Sequence, residues 1–368
     1  MTNGAIVGSA CGDPLALDAS WMTEALESSG VAGGATVTDV EFDGFIGTGQ
    51  MSRNARYRLT WDRPAGRPTT VVGKFPSADE NTKRSSFDSG AYHHEYAFYA
   101  QLATTVAVRT PRCWVARFDA GAPDFVLILE DLADSAQGDQ FSEPPDDVTT
   151  QAIEQAAALH GPRWGDPTLA AEPAMQSPFG DRGELLRHYY TASTDVCLTR
   201  LGHGLDDDVQ RLIRDFVPLI GSWAQGTGTP TTPVHGDFRP DNFLIGTTPD
   251  AVPFAVVDWQ TLSLGLGVAD VAYFIGGAFE PERRRDIERD LLERYRDQLG
   301  QYGHHYGADE CWRDYVWGTL HGVIIAVCAT MMADQTERGD AMLTLMASRH
   351  ARHAIDLGAL DLLRAADR

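Results

Sequence analysis

The sequence predicts an α+β chain in two lobes, a small antiparallel β lobe with one helix plus a larger mainly helical lobe. Three observations carry this expectation. The 368 residues, 43% of them hydrophobic, are enough to bury one large core or two moderate ones. Val, Thr, Phe and Gly gather in roughly the first third, where apolar and polar residues alternate. Helix formers dominate the second half.

The elements follow in order. "LALDASWMTEALESSG" (15–30) has apolar positions at helical spacing and a closing Gly30, so a short helix is expected within an N-terminal extension, 1–34. Residues 35–76 alternate, with turn signals at Asp43-Gly44 and at Arg63-Pro64-Ala65-Gly66. They predict three antiparallel strands near 37–46, 53–62 and 69–75. "DSGAYHHEYAFYAQLA" predicts a helix over 88–103, and two strands are expected near 112–118 and 124–130. These complete a first lobe over 35–131.

The pattern then changes. "ADSAQGDQFSEPPDDVTT" reads as a loop, and Pro144-Pro145 lead into the helix "TTQAIEQAAALHG". Further helices are expected near 181–200, 206–225, 268–280, 282–301, 309–333 and 338–365, with one β-rich block at 243–258. These form a second lobe over 132–368. "VWGTLHGVIIAVCATMM" (316–332) is apolar nearly all round and reads as a buried helix.

Composition narrows the function. The chain carries 52 acidic and 30 basic residues, a formal charge of −22. Such a charge repels nucleic acid and anionic membranes, and it either draws in a cationic small substrate or simply keeps the surface soluble. No apolar run approaches the ~18–20 residues of a membrane span. "MTNGAIVGSACGDP" lacks the charged and apolar regions of a signal peptide, so a cytoplasmic protein is expected. Cys11, Cys113, Cys197, Cys311 and Cys328 are scattered and odd in number, which fits reduced thiols better than disulfides or a zinc site. Nothing in the sequence sets an oligomeric state.

The densest chemistry lies in "VHGDFRPDNFLI" (234–245), followed by "FAVVDWQ" (254–260), a strand that ends on an acid. Five residues separate Asp237 from Asn242, and sixteen more lead to Asp258. His-Gly-Asp, four residues, Asn, then an apolar strand ending in Asp resembles the catalytic pattern of the aminoglycoside phosphotransferase and choline kinase-like superfamily. "VDWQ" with Gly265, Gly267 and "DVAYF" looks most like its ecdysteroid-kinase-like branch. The resemblance is tight over 230–275 and looser elsewhere. It implies a two-lobed protein-kinase-like fold and a kinase that uses ATP, with GTP an alternative, and Mg²⁺ to phosphorylate a small-molecule acceptor.

Chemistry explains the residue types. Phosphoryl transfer needs positioning, neutralised charge and a group to take the acceptor's proton. Asp237 is the candidate base, and Asn242 and Asp258 supply the hard oxygen ligands that Mg²⁺ prefers. His235 braces the loop or serves as an alternative base. Arg239 neutralises a phosphate, steadies the loop or is plain surface. Asp270 either bonds the catalytic loop backbone, as the resemblance implies, or caps a helix.

The first lobe should hold the nucleotide. Lys74 and Lys83 are the only lysines, and the rest of the 30 basic residues are arginines. Lys74 lies on the third strand, where kinase-like folds carry a phosphate-binding lysine. Glu95, within the following helix, resembles the glutamate that pairs with it; Glu80 is the rival, in a loop-like stretch. Gly47-Thr48-Gly49 forms either a phosphate loop or an ordinary hairpin. The backbone from Glu130 to Leu132 suits the adenine edge, as the resemblance implies.

Asp206, Asp207 and Asp208 could receive a cationic acceptor or simply begin a helix. Tyr189, Tyr190, Trp312, Tyr315 and Trp317 form an acceptor wall or core. A nucleotide-binding pseudokinase or regulatory module is the alternative function, opposed by the presence of all five kinase-type residues. Protein kinase activity is disfavoured, because His-Arg-Asp, Asp-Phe-Gly and Ala-Pro-Glu are missing from the sequence.

Overall fold

A computed structural model describes residues 12–47, 49, 51–175, 183–332 and 335–366. Cys11, Thr48, the expected helix start at 181–182 and the expected helix end at 333 lie outside the described residues. By contact the chain divides into two units. The first comprises 1–105, 109–135 and 246–261; the second comprises 106–108, 136–245 and 262–368. Residues 246–261, which carry Asp258, thus group with the first unit, whereas the sequence reading assigned all of 132–368 to the second lobe.

The first unit opens with α1 (Ala19–Ser28), whose N-terminus is capped by the Asp18 carboxylate accepting the Trp21 N–H. Strands β1 (Val37–Ile46), β2 (Ser52–Trp61) and β3 (Thr70–Pro76) follow. Next come α2 (Glu80–Asp88), α3 (Ala91–Ala97), β4 (Cys113–Asp119) and β5 (Asp124–Glu130). All five strands join one antiparallel sheet in the order β1-β2-β3-β5-β4. Side chains alternate across it. Val71 and Phe75 enter the apolar cluster with Met22, Ala25 and Leu26 of α1. Lys74, between them in sequence, is directed to the opposite face and meets α3.

The helix expected over 88–103 is α3 with its π-helical continuation, and α2 is a separate helix before it. Gly90, at φ +82°, breaks the path, and a π-helical turn, Phe98–Leu102, extends α3. Glu80 opens α2 and is not in a loop; Asp79 caps that helix by accepting the Thr82 N–H at 2.8 Å. The Asp-Glu pair at a helix start was the signal overlooked.

In chain order the rest comprises β6 (Ser135–Gln137), α4 (Asp146–His160), α5 (Gly183–Leu201), α6 (Asp207–Phe216) and α7 (Ile220–Ala224). Then come β7 (Thr232–Val234), β8 (Phe243–Gly246), β9 (Phe254–Val256) and β10 (Ser263–Gly265). The chain ends with α8 (Gly267–Ala278), α9 (Pro281–Gln301), α10 (Ala308–Met332), α11 (Glu337–Asp356) and α12 (Ala359–Ala366). Pro218, without an N–H, sits in the 3₁₀ turn that divides the helix expected over 206–225. Gly358, at φ +64°, divides the one expected over 338–365.

The core of the second unit gathers apolar side chains of α5, α6, α10, α11 and α12. Contrary to the expectation that no apolar run approaches a span, helix α10 is long and apolar enough to cross a membrane by length and composition. In the structure 72% of its most apolar window is buried. Tyr190 and Tyr315 are fully buried and Trp317 nearly so, which makes them core.

Candidate active site

In the first unit, β3 and α3 bring Lys74 and Glu95 together although 21 residues separate them. Lys74 Nζ donates to Glu95 Oε1 at 2.6 Å and to Asp258 Oδ1 at 3.2 Å. Lys74 and Glu95 are 5% and 1% exposed, while the Asp258 side chain remains 39% exposed. Burial disfavours the Lys74 charge, but Asp258 and Glu95 outweigh it and hold the amine above its ordinary value. Glu95 is displaced upward, because burial and the neighbouring Asp258 exceed the pull of the single lysine.

Asp258 has φ +69°, the one positive value at a non-glycine among the described residues. Such strain persists only where the surroundings over-determine the backbone. Here the next two residues are fixed. The Trp259 ring stacks on Phe98 at 3.5 Å between centroids, and its Nε1 donates to Thr110 Oγ1 at 3.3 Å. The Gln260 carbonyl lies 3.1 Å from His94 Nδ1. Helix α3 and its π turn therefore hold both the partner of Lys74 and the backbone beside Asp258.

Gly47, at φ +75°, and Gly49 lie in the connection between β1 and β2. Tyr92 of α3 steadies the far end of that connection. Its hydroxyl donates to the Met51 carbonyl at 2.8 Å and accepts the Ser77 N–H at 3.1 Å. The Glu130 carboxylate is engaged by Arg109 Nη2 at 2.8 Å and the Arg112 N–H at 2.9 Å. The Glu130 N–H donates to the Arg112 carbonyl, and the Leu132 carbonyl accepts the Ser135 N–H.

In the second unit β7 pairs antiparallel with β10, so the chain entering His235 runs beside the chain entering α8. Asp270, on the first turns of α8, does not cap that helix. Its Oδ2 accepts the His235 N–H at 2.6 Å and its Oδ1 the Gly236 N–H at 2.9 Å. His160 Nε2 lies 3.2 Å from the same carboxylate, and His160 Nδ1 lies 2.8 Å from the Tyr295 hydroxyl. Burial alone would raise the Asp270 pKa, yet these partners bring it below the usual carboxylate value.

Asp237 sits in the loop so fixed. Tyr273 donates to its Oδ1 at 2.7 Å. Asn242 Nδ2 donates to its Oδ2 at 2.9 Å and to its backbone carbonyl at 2.8 Å. Arg239 Nε lies 3.0 Å from the carboxylate with its N–H directed to Oδ2, while Nη1 reaches Asp241 at 2.8 Å. Burial opposes the Arg239 charge, but Asp237, Tyr273 and Asp241 raise its pKa above the ordinary value. Arg239 is thus bound into the loop and is not a free surface charge.

The buried His235 accepts the Asp237 N–H at Nδ1 over 3.3 Å. Tyr273, His321, His160 and Asp241 were missed by sequence reasoning. "DVAYF" placed Tyr273 three residues after Asp270, on the next turn of one helix, which was a usable signal. His321, whose Nε2 lies 2.8 Å from the Gly236 carbonyl, had none. Asp206 and Asp208 accept from Arg352, the closer bond being Nη1 to Asp208 Oδ2 at 2.7 Å.

A model of the phosphotransferase enzyme family (APH) matches residues 51–315, well over half of the chain. The chain belongs to the phosphotransferase enzyme family. It is therefore a phosphotransferase, and the family drawn from the 234–258 motif is borne out. Choline kinase from Cryptosporidium parvum Iowa II shares 10% identity over 89% of this phosphotransferase and 94% of its own chain, at a TM-score of 0.52. That likeness is one of fold, and it makes the two-lobed kinase-like α+β class explicit.

A putative aminoglycoside phosphotransferase from Ralstonia eutropha JMP134 shares 16% identity over 91% of this phosphotransferase and 98% of that chain, TM-score 0.46. An ethanolamine kinase from Plasmodium vivax shares 10% over 89% and 84%, TM-score 0.47. No curated protein sequence matches the phosphotransferase.

Proposed function

We propose that this phosphotransferase moves the γ-phosphate of ATP, or of GTP, to a hydroxyl of a small acceptor, with Asp237 as base. The observation that carries the reading is the Asp237 carboxylate, held by Tyr273, Asn242 and Arg239 in a loop tied to Asp270. A transferring phosphoryl group asks the protein mainly for positioning and charge, and a carboxylate so fixed can orient an acceptor hydroxyl and take its proton. The His235 Nδ1 lone pair faces a backbone N–H, which favours bracing over service as the base.

Lys74, held by Glu95, contacts the phosphates as a compact point charge. Gly47 and Gly49 let backbone N–H groups approach them. The backbone at Glu130 to Leu132 takes the base of the nucleotide.

Among the described residues no group of three or more His, Cys, Asp or Glu could hold a metal ion. Mg²⁺ bound with nucleotide phosphates needs few protein oxygens, and the donors present suit that. The Asp258 carboxylate is partly exposed. Asn242 spends its Nδ2 on Asp237, so its amide oxygen points away from the base. Asn242 and Asp258 are the residues that would hold Mg²⁺, which would supply neutralisation of the phosphate charge.

The test is ADP release from Mg·ATP across aminoglycosides, amino alcohols, sugars, macrolides and sterol-like alcohols. Asp237→Ala should abolish transfer and keep Mg·ATP binding; Asp258→Ala should weaken the binding itself. Full activity of Asp237→Ala on a genuine acceptor would remove Asp237 as the base.

A further inference from the structure

The Asp237 carboxylate is not symmetric in its surroundings. Oδ2 receives Asn242 Nδ2 at 2.9 Å, and Arg239 Nε lies 3.0 Å from both oxygens with its N–H directed to Oδ2. Oδ1 receives the Tyr273 hydroxyl at 2.7 Å. Oδ1 thus takes a neutral phenol as its directed donor, where Oδ2 takes an amide and a guanidinium.

Tyr273 is itself immobilised. Its ring is 1% exposed and stacks on His350 at 4.8 Å between centroids with an 8° interplanar angle, while His321 meets it edge-on at 5.5 Å. His350 lies in a slot where side chains are missing: a Cβ at Gly277 would meet it at 3.1 Å, and one at Gly322 would overlap it. Burial, then the Asp237 charge, raises the Tyr273 pKa well above its ordinary value, so the phenol keeps its proton and stays a donor.

From this arrangement we infer that Tyr273 is a positioning residue of the transfer reaction, which holds Asp237 so that Oδ1 receives the acceptor's proton. This rests on Asp237 being the base. In the step, the acceptor O–H bond breaks and its proton passes to Oδ1. The freed electron pair forms the new O–P bond as the bond from the γ-phosphorus to its bridging oxygen breaks, leaving a nucleoside diphosphate. Tyr273 keeps its own proton throughout and only fixes the carboxylate plane.

Two measurements test the inference. In the first, ADP release from Mg·ATP is followed with choline, kanamycin, a sterol alcohol or water as acceptor. Tyr273→Phe, which deletes one hydroxyl, should lower kcat about 10- to 100-fold, the value of one hydrogen bond to a charged group. The KM for Mg·ATP and the melting temperature should hold, whereas general loosening of the fold would move all three. In the second, 3-fluorotyrosine is placed at position 273 alone and its ¹⁹F resonance read with Asp237 and with Asp237→Asn. A displaced resonance supports the contact; an unmoved one overturns it whether or not an acceptor is found or Tyr273→Phe folds. Transfer that survives Asp237→Asn defeats the assignment of the base. Transfer lost in Asp237→Asn but unchanged in Tyr273→Phe overturns the role of Tyr273 alone.

Discussion

Asp270 accepts the His235 N–H at 2.6 Å, so the loop that carries Asp237 hangs by its backbone from the first turns of α8. Two amides and His160 share this one buried carboxylate.

Removing it should cost stability and activity together. Asp270→Ala strands buried donors, and a loss of about 3 kcal/mol of unfolding free energy is expected from urea titration, with transfer abolished. The Asp270 pKa is lowered in the folded state. Its contribution is therefore present above the ordinary carboxylate value and lost as pH falls below it. The acid limb of the stability profile should be shallower in Asp270→Ala than in the parent, and an identical limb would contradict the pairing.

Lys74 separates two acids. Lys74→Met leaves Glu95 and Asp258 with no cation between them, and Mg·ATP affinity measured by calorimetry should fall at least about tenfold, one lost charge-assisted bond. Lys74→Arg should not restore it, because a buried ammonium shared between Glu95 and Asp258 is a point contact that a planar fork does not reproduce. Affinity restored by Arg would mean that charge alone suffices.

At Asp258 charge and backbone conformation can be varied separately. Asn tolerates the left-handed region about as well as Asp does, so Asp258→Asn should keep the melting temperature and weaken Mg·ATP binding. Asp258→Gly removes the charge and relaxes φ +69°, and should be as weak a binder with a stability equal to or above the parent. Normal binding by both variants would dismiss the carboxylate as a ligand.

His353 is wholly buried on α11, and burial lowers its pKa to about 4. The unfolded chain takes up a proton near pH 6.5 that the folded chain refuses. Stability should therefore decline as pH falls from about 6.5 to about 4, by up to about 3 kcal/mol. His350, lowered in the same sense by its burial, steepens the decline. Urea midpoints across this range should follow that slope, and His353→Gln should flatten it.

Much of this was legible in the amino-acid order. Alternation gave β1 to β3 nearly to the residue, because a half-buried sheet writes its two faces at period two, whereas β5 is a continuous apolar run buried on both faces. The motif from His235 to Asn242 was legible because its polar groups sit close in sequence. Tyr273 and His321 were not, since they reach the loop from α8 and α10 and only packing brings them there. The broken helices around Pro218 and Gly358 were read as continuous, because apolar spacing persists across a break that one backbone angle or one missing N–H creates.

The glycines beneath His350 give the molecule an internal fault line. A methyl group at residue 322 of α10 would press on His350, which is stacked on Tyr273, which holds Asp237. Gly322→Ala would thus act as an inhibitor written into the chain, dulling the carboxylate proposed as the base from two side chains away. The empty space at residue 322 is what lets His350 lie flat against Tyr273, and its loss would be felt in turnover although no group proposed to touch a ligand had changed.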